Sequence, residues 1–339
     1  MTSKLSSSDT AYIHTHRPHL YILTPCYGNL CTLNYVTCLL ATVDTLFAWG
    51  IKVDVKFCKN DSLITRARNN LLAIAMADPD TTHIMFIDSD ISWTPYDIVK
   101  LIVSDKALIG GIYPLKRYHW NRIVKSEDQV QSKSQSQENK MYLQRPASAS
   151  ASTEASASAS TEASASASAS ASASTEAEAE AEAEAKKEGS VIDGLISRKA
   201  ESSILSSMTD EGIARCNLVN YNVNYLNGTL VIQNNIAVVR HIPTGFMMIQ
   251  RKTIEILHEC SPHTKYVDDV GLLNDTQNHF AYALFDCAVV DGHYLSEDWY
   301  FCNQWTAVGG EVHIDVSINL THTGIEDYVG CFASSIRIA

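Results

Sequence analysis

Two aspartates, Asp88 and Asp90, end the apolar segment HIMFIDSD (83–90) and are the residues best placed to do chemistry. The segment is typical of a buried strand, and alternate residues of an extended chain point to the same side. Paired carboxylates at such a place suit Mg²⁺ or Mn²⁺, hard cations that prefer oxygen ligands and keep positions open for phosphate. An acidic turn is the ordinary alternative, so the pair needs support from the rest of the chain.

Three later residues add to this chemistry. Glu297 and Asp298 follow Ser296 in SEDWYFCNQWTAVGG (296–310), a segment that predicts a helix capped by the serine. A carboxylate there can accept a proton from an acceptor hydroxyl, although stabilising the helix N-terminus is the simpler role. His322 follows a late strand, where a neutral imidazole can complete a metal site begun by carboxylates or serve only the fold.

Apolar periodicity predicts the elements that position these residues. Up to residue 113, strands alternate with helices, which predicts a mostly parallel sheet with helices on both faces. Ligands bind such sheets at the carboxyl ends of the strands, where we expect the polar clusters TPCYGN, NDSLITRARN, DSD and PLKR to converge. The predicted strands are 20–24, 53–58, 83–88 and 107–113, and the predicted helices are 31–48, 63–77 and a third that begins at Pro95.

Composition divides the chain. We expect residues 1–18 to be a disordered lead, 19–124 and 212–339 to be the two halves of one domain, and 125–211 to be a low-complexity disordered insertion. The insertion is mainly a repeat of Ala-Ser and Ala-Glu that offers no apolar group larger than alanine to a core. In the second half the sequence predicts a hairpin at Asn227-Gly228 and the following further elements: strands at 229–233, 236–242, 279–290, 311–316 and 318–324, and a strand that runs into a helix over 246–260.

The charge and cysteine content exclude several classes. The net charge is −12, much of it in the Ala-Glu repeat, and no basic cluster marks a nucleic-acid or anionic-lipid surface. Nine cysteines without a CxxC pair are typical of reduced core residues. Neither a signal peptide nor an apolar run long enough to cross a membrane is visible. We therefore expect a cytoplasmic protein with no membrane anchor and no nucleic-acid partner.

The order of five motifs resembles a known family. FIDSDISW, GGIYPLKR, IPTGFMMIQR, YLSEDWYFCNQW and LTHTG resemble, in this order, the GT-A fold glycosyltransferases, including those of large DNA viruses and bacteria. The resemblance covers residues 18–124 and 214–331. It implies a three-layer α/β/α, Rossmann-like fold whose central sheet is mostly parallel, with a few antiparallel strands. A viral origin would place the protein in the host cytoplasm.

The resemblance also implies roles for residues. Asp88 and Asp90 would hold Mn²⁺ or Mg²⁺ on the diphosphate of a nucleotide sugar, and His322 would complete the metal site. Asp298, or Glu297 as second choice, would be the base of an inverting enzyme. The residues implied to line the nucleotide are Thr24, Pro25, Arg66, Arg68 and Asn69.

The residues themselves offer weaker candidates for substrate contacts. Lys116 and Arg117 follow the fourth predicted strand and can reach the diphosphate or the acceptor, or only water. Tyr113 can stack on a sugar or pack in the core. Thr244-Gly245 can bring backbone close to the acceptor, or simply form a tight turn.

Together these observations predict a metal-dependent glycosyltransferase. It would move a sugar from a nucleoside-diphosphate sugar to a hydroxyl of a glycan, protein or lipid, with inversion favoured by the acidic pair. One alternative is a sugar-1-phosphate nucleotidyltransferase, although the loop TPCYGNLC lacks the basic, glycine-rich character that holds a triphosphate. Another alternative is a non-catalytic carbohydrate-binding protein.

Overall fold

The structure is a computed structural model that describes residues 5–120, 203–226 and 230–336. The chain divides into two compact units, residues 1–119 with 207–339 and residues 120–206. Of the second unit the structure describes Trp120 and the short helix Ser203–Ser206. Residues 120–124, predicted in the first half of the domain, belong to the second unit, and the first unit carries every other described element.

Helices and strands alternate in the first half of the chain, as the sequence predicts. In chain order the described helices are α1 (Ser7–His16), α2 (Leu33–Ala48), α3 (Ile64–Met76), α4 (Pro95–Val103), α5 (Ser203–Ser206), α6 (Asp210–Leu218), α7 (Arg251–Cys260), α8 (Asp275–Asn278), α9 (Glu297–Ala307) and α10 (Phe332–Ser335).

The described strands are short, and most of them belong to one sheet. In chain order they are β1 (His19–Cys26), β2 (Lys52–Lys59), β3 (His83–Ile87), β4 (Ile91–Ser92), β5 (Leu108–Gly110), β6 (Pro114–Tyr118), β7 (Val219–Tyr221), β8 (Ile232–Gln233), β9 (Ile236–Val239), β10 (Phe246–Gln250), β11 (Ala288–Val290), β12 (His293–Leu295), β13 (Val312–Asp315), β14 (Thr321–Thr323) and β15 (Asp327–Val329).

The central sheet has eight strands in the order β2-β1-β3-β10-β5-β13-β9-β8. The strand pairings make β9 and β10 antiparallel to the other six, which all point in one direction. The predicted mostly parallel sheet with a few antiparallel strands is confirmed. Because β10 lies between β3 and β5, the second half of the chain contributes a central strand rather than a separate layer.

Alternate residues of the inner strands face opposite sides of the sheet. In β1, Leu20 and Ile22 join a buried cluster with α1, α2 and α4, whereas Tyr21 and Leu23 join the cluster that contains residues of α3, α7 and α9. Helices therefore cover both faces, and the three-layer, Rossmann-like α/β/α architecture is confirmed.

The predicted elements up to residue 113 are confirmed, with ends shifted by a few residues. The largest difference is the strand predicted at 107–113, of which only Leu108–Gly110 pairs in β5. Gly111 follows at a crowded point, where an added Cβ would lie 2.9 Å from Ile318 Cγ2. The contact with β10 ends at this residue, with a hydrogen bond of 3.1 Å from Gly111 N–H to Phe246 O.

The expectation of a disordered lead is wrong for residues 5–18, and residues 1–4 lie outside the described residues. Helix α1 begins with a capping box between Ser6 and Asp9. Ile13 is buried in the cluster that also contains residues of α2 and α4. The Tyr12 hydroxyl donates to Asp105 Oδ1 at 3.1 Å. A single buried aliphatic residue does not produce the periodic apolar stripe that identifies a helix from sequence.

Two further predictions differ from the structure. The strand predicted at 279–290 is wrong over most of its length, since it contains only the short strand Ala288–Val290, in a hairpin with β12, and a single bridge from Tyr282 to Lys265. The strand predicted at 229–233 is reduced to the two residues of β8, at the edge of the sheet. The hairpin tip at Asn227-Gly228 and the insertion up to residue 202 lie outside the described residues. The end of the predicted disordered insertion is wrong, because residues 203–211 contain α5 and the start of α6.

The strand-to-helix run over 246–260 is confirmed as β10 followed by α7. The strands predicted at 311–316 and 318–324 are confirmed in shorter form as β13 and β14. Over the residues that the structure describes, none of the helices has the length and apolar character needed to cross a membrane.

The docking of α1 can be tested by shortening Ile13. Ile13→Ala should lower the free energy of unfolding by about 2–4 kcal/mol, because it removes buried methyl groups from the contact between α1 and the core. The exposed neighbour His14 offers a matched control, and His14→Ala should change stability by less than about 0.5 kcal/mol. Urea denaturation followed by circular dichroism measures both, and equal effects of the two substitutions would contradict the docked helix.

Candidate functional site

The turn that carries Asp88 and Asp90 begins where β3 ends and is held by backbone hydrogen bonds on three sides. Asp88 N–H donates to Gly245 O at 3.0 Å, at the start of β10. Thr32 N–H donates to Ser89 O at 2.9 Å, at the start of α2, and Thr323 N–H donates to Asp90 O at 2.8 Å. The two carboxylates are therefore presented by a fixed turn at the carboxyl end of β3, as the sequence predicts.

Asp90 lies between a lysine and a histidine. Its Oδ2 atom is 2.5 Å from Lys116 Nζ, which β6 supplies, and 3.5 Å from His322 Nε2, which β14 supplies. Burial alone would raise the pKa of Asp90, but the hydrogen bonds and charges of His322 and Lys116 outweigh it and hold the pKa below its ordinary value. Asp90 is thus an ionised carboxylate beside the ammonium of Lys116.

The orientation of His322 is set by the strands around it. Strand β14 pairs with β4, which places His322 opposite Ile91, next to the aspartate turn. The ring's Nδ1 lies 2.9 Å from Pro114 O, and a carbonyl only accepts, so Nδ1 carries the proton of this hydrogen bond. In the neutral ring, Nε2 then holds a lone pair that faces Asp90.

Arg68 connects the early aspartates to the late acidic pair. It is 4% exposed, with Nη2 3.0 Å from Asp88 Oδ1 and Nε 3.4 Å from Glu297 Oε1. Its Nη1 is buried without a hydrogen-bond partner in the part of the chain that the structure describes. Burial would lower the pKa of Arg68, but the two carboxylates raise it, so the guanidinium keeps its charge inside the protein.

Glu297 and Asp298 begin α9 as predicted, and burial raises the pKa of both. The sequence expects Ser296 to cap the helix through its side chain, but its hydroxyl donates to Asp298 Oδ1 instead. Trp299 N–H donates to the same oxygen at 2.9 Å. The pKa of Asp298 therefore exceeds its ordinary value even at a helix N-terminus, because burial outweighs these hydrogen bonds.

Tyr113 fills the space between the two aspartates and the histidine. Its ring meets the His322 ring edge to face at 5.0 Å between centroids. A Cβ added to Gly245 would lie 2.7 Å from both Tyr113 Oη and Asp88 Oδ2, so only glycine fits there. Beside it, Thr244 is buried and its hydroxyl has no partner among the described residues. These are residues for which the sequence left packing and substrate contact equally open.

The other residues predicted to line the nucleotide have different partners. Arg66 points to Asp61, with Nε 2.8 Å from Oδ2 and Nη2 2.7 Å from Oδ1. The amide of Asn69 is used by the backbone of Phe285, donating at 2.8 Å and accepting at 2.9 Å. Both side chains therefore serve the fold in this structure, and only Arg68 of the predicted cluster reaches the aspartates.

Thr24 and Pro25, the residues of β1 predicted to line the nucleotide, are buried or half-buried within the protein. The Thr24 hydroxyl is buried in a hydrogen bond of 2.5 Å with the Tyr35 hydroxyl. Pro25 is half-buried at the end of the strand, beside Cys58 of β2. The Thr24 hydroxyl is therefore used by the protein itself.

The predicted metal ligands are brought together only in part. Asp90 and His322 face one another, but Asp88 is paired with Arg68 and does not join them in a three-ligand group. Within the described ranges, the group whose ligand atoms do lie close together is His19, Asp54 and Asp78. The sequence did not identify that group, because its members come from two strands and a loop with no shared motif.

Comparisons with known proteins do not show a family. No family model matches the chain, and no curated protein matches it. Among solved structures, the crystal structure of A197 from STIV is similar to this chain at 11% sequence identity, covering 91% of this chain and 86% of that chain with a TM-score of 0.38.

The raised pKa of Asp298 predicts a gain of stability when its charge is removed. An acid whose folded pKa is raised destabilises the native state increasingly as pH rises from the unfolded pKa to the folded pKa, and fully above the folded pKa. Asp298→Asn should therefore be more stable than the wild type at pH 7, and the difference should vanish below about pH 4, where the unfolded aspartate is also protonated. Urea denaturation at both pH values measures the effect.

Asp268 provides a control of opposite sign. Burial would raise its pKa, but hydrogen bonds from Leu273 and Leu272 N–H and from Asn70 hold it below the ordinary value. Its stabilisation is present above the unfolded pKa and is lost as pH falls. Asp268→Asn should lose stability at pH 7, and a loss of the same sign in Asp298→Asn would show that burial does not dominate at Asp298.

Proposed function

We propose that this protein is a metal-dependent glycosyltransferase of the GT-A fold, which moves a sugar from a nucleoside-diphosphate sugar to a hydroxyl acceptor with inversion. The observation that carries the proposal is the position of Arg68, which contacts Asp88 and Glu297 at once. It brings the aspartate turn and the acidic start of α9 to the same edge of the sheet. His322 joins them through Asp90.

The cationic side chains support a diphosphate as ligand. Arg68 has a buried Nη1 with no partner among the described residues, and a guanidinium binds phosphate oxygens through pairs of parallel hydrogen bonds. Lys116 lies at the same edge, on Asp90. A leaving nucleoside diphosphate gains negative charge as the glycosidic bond breaks, and fixed positive groups stabilise that charge.

The donor set around Asp90 fits a divalent cation. A carboxylate oxygen and the lone-pair nitrogen of His322 face one another at 3.5 Å, and the hydrogen bond to Pro114 O fixes the ring in that orientation. The nitrogen makes Mn²⁺ a better match than Mg²⁺, which takes oxygen ligands almost exclusively. Asp90 and His322 would hold the ion once the Lys116 ammonium moves off Asp90 Oδ2, where it lies at 2.5 Å, while Asp88 stays paired with Arg68. The ion would neutralise charge on the diphosphate.

Asp298 is the better placed of the two acids to act as general base. Both hydrogen bonds that described residues make to its carboxylate end on Oδ1, which leaves Oδ2 to take the proton of the acceptor hydroxyl. Glu297 is instead paired with Arg68, whose positive charge opposes its protonation. The raised pKa of Asp298 makes it a stronger base than an ordinary aspartate. The acceptor would be a hydroxyl of a glycan, protein or lipid reached from the cytoplasm.

Removal of the Asp90 charge tests the proposal. Asp90→Asn should lower the rate of nucleoside-diphosphate release from nucleotide sugars in Mn²⁺ by about 100-fold or more, the usual effect of removing one fixed group that stabilises the leaving charge. The measurement is a coupled assay across a panel of nucleotide sugars. Asp44→Asn is the matched control, because Asp44 is an exposed aspartate on α2 and should keep the wild-type rate.

Three results would contradict the proposal. Equal rates for Asp90→Asn and the wild type would remove Asp90 from the reaction. Pyrophosphate release from a nucleoside triphosphate and a sugar-1-phosphate would identify a nucleotidyltransferase. Saturable glycan binding with no turnover of any nucleotide sugar would identify a carbohydrate-binding protein.

The role of Asp298 has its own test. Asp298→Asn should lower transfer to the acceptor by about 100-fold or more, within the range of general-base effects, while donor binding stays close to that of the wild type. Proton NMR of the product should show a β-linked sugar from an α-linked donor. A product that keeps the donor's configuration would reject Asp298 as the base of a direct displacement.

A further inference from the structure

A second group of side chains that could hold a metal ion lies at the opposite end of the sheet from Asp88. His19 opens β1, Asp54 lies within β2, and Asp78 follows α3. Leu20 is in register with His83 at the start of β3, whereas Asp88 follows the end of β3. His19 is 3% exposed, and the two aspartates are partly exposed, so the group is a recess at the protein surface.

One nitrogen of His19 is committed to a hydrogen bond. Its Nε2 lies 2.9 Å from Asp54 Oδ2, and because an ionised carboxylate only accepts, Nε2 carries the proton. Asp54 is held in turn by Lys56, whose Nζ is 3.8 Å from Oδ1. This contact fixes both the tautomer and the ring orientation of His19.

The other nitrogen of His19 is buried without a hydrogen-bond partner among the described residues. His19 Nδ1 points at Asp78 Oδ2 from 3.9 Å, which is too far for a hydrogen bond. In the neutral ring, Nδ1 is a lone pair opposite a carboxylate oxygen. A buried acceptor facing an anion is unfavourable unless a cation lies between them.

We propose that His19 Nδ1 and the Asp78 carboxylate bind a Zn²⁺ ion, with Asp54 orienting the imidazole. Zinc bonds to histidine nitrogen and carboxylate oxygen are both about 2.0–2.2 Å long, so tetrahedral ligands lie about 3.4 Å apart. The observed separation of 3.9 Å closes to this value with a small side-chain movement. Water completes the coordination, because the two aspartates leave the recess open to solvent.

The surroundings have the features of a zinc site. A histidine ligand whose second nitrogen donates to a carboxylate is the usual arrangement around bound zinc. The Tyr21 hydroxyl donates to Asp78 Oδ2 at 2.9 Å and holds the second ligand in place. A nitrogen ligand disfavours Mg²⁺ and Ca²⁺. The ion would join β1, β2 and the segment between α3 and β3, and it is independent of the proposed transferase site.

Zinc titration of the full chain tests this proposal. The background is Asp90→Asn with His322→Gln and Cys31→Ser, which removes two other pairs of candidate ligands, Asp90 with His322 and Cys26 with Cys31. Chelator-treated protein should bind one Zn²⁺ by calorimetry, and its unfolding midpoint should rise by about 4 °C at a hundredfold excess over the dissociation constant. Mg²⁺ at the same concentration should produce no shift.

Substitutions then assign the ligands. His19→Gln and Asp78→Asn should each remove the zinc-dependent shift, and Asp54→Asn should weaken binding about 10–100-fold as the orienting group. His83→Gln is the matched control, since His83 is equally buried at the start of the neighbouring strand but faces the other helical layer, and it should bind zinc like the background protein.

Nitrogen NMR of the unsubstituted histidine gives a readout that does not depend on folding of the variants. Addition of Zn²⁺ should shift His19 Nδ1 while Nε2 keeps its proton. Zinc binding that persists in both His19→Gln and Asp78→Asn would overturn the proposal. So would two protonated ring nitrogens with no response to zinc, which would show that an imidazolium shared by the aspartates fills this role.

Discussion

The buried guanidinium of Arg68 is the interaction on which the candidate site depends. A charge this far from water is costly unless it is paired and hydrogen-bonded, and Arg68 finds its partners in two distant parts of the chain. Asp88 comes from the end of β3 and Glu297 from the start of α9. Because the cation cannot lose either partner cheaply, it holds the early and late carboxylates at one place. The geometry of the site therefore rests on charge balance within the protein.

The central sheet also needs strands from both halves of the chain. Strand β10 lies between β3 and β5, pairing Phe246 with Ile87 and Met247 with Gly110. Gly245, directly before β10, accepts the N–H of Asp88 and leaves room for its side chain. Residues before the insertion thus cannot form the site without residues after it. A continuous core across both halves explains how the chain keeps one fold despite the long intervening segment.

The ends of that segment are held close together within the main unit. Strand β6 pairs with β7, and His119 N–H donates to Leu218 O at 2.7 Å. The cost of closing a loop grows only with the logarithm of its length, so a long insertion between two paired strands disturbs the fold little. Lys116 lies on β6, inside this pair, which fixes the base of its side chain next to Asp90. The pairing of β6 with β7 therefore supports both the insertion point and the position of Lys116 in the site.

The sequence predicted the features that repeat along the chain and missed those that depend on distant partners. The alternation of strands and helices up to residue 113 follows from periodic apolar residues, and the position of Asp88 at a strand end follows from it. The segment around Phe285 has the aromatic content of a strand, but its backbone is held by the Asn69 amide, a partner 216 residues away. Arg66 and Arg68 are two positions apart on one helix, and only the tertiary structure separates the ion pair with Asp61 from the contact with Asp88.

A histidine faces an aspartate at both ends of the sheet. The two ends differ in the positive groups that balance the charge of the aspartate. At Asp90 the ammonium of Lys116 supplies a fixed positive charge. At Asp78 the hydrogen-bond donors are neutral, namely the Tyr21 hydroxyl and the N–H of Asp80, and Lys52 acts only through its longer-range charge. A neutral imidazole facing Asp78 therefore has no fixed cation to balance the anion. The His19 end therefore lacks the close ammonium that the His322 end has, although the aspartate motif marks only the latter in the sequence.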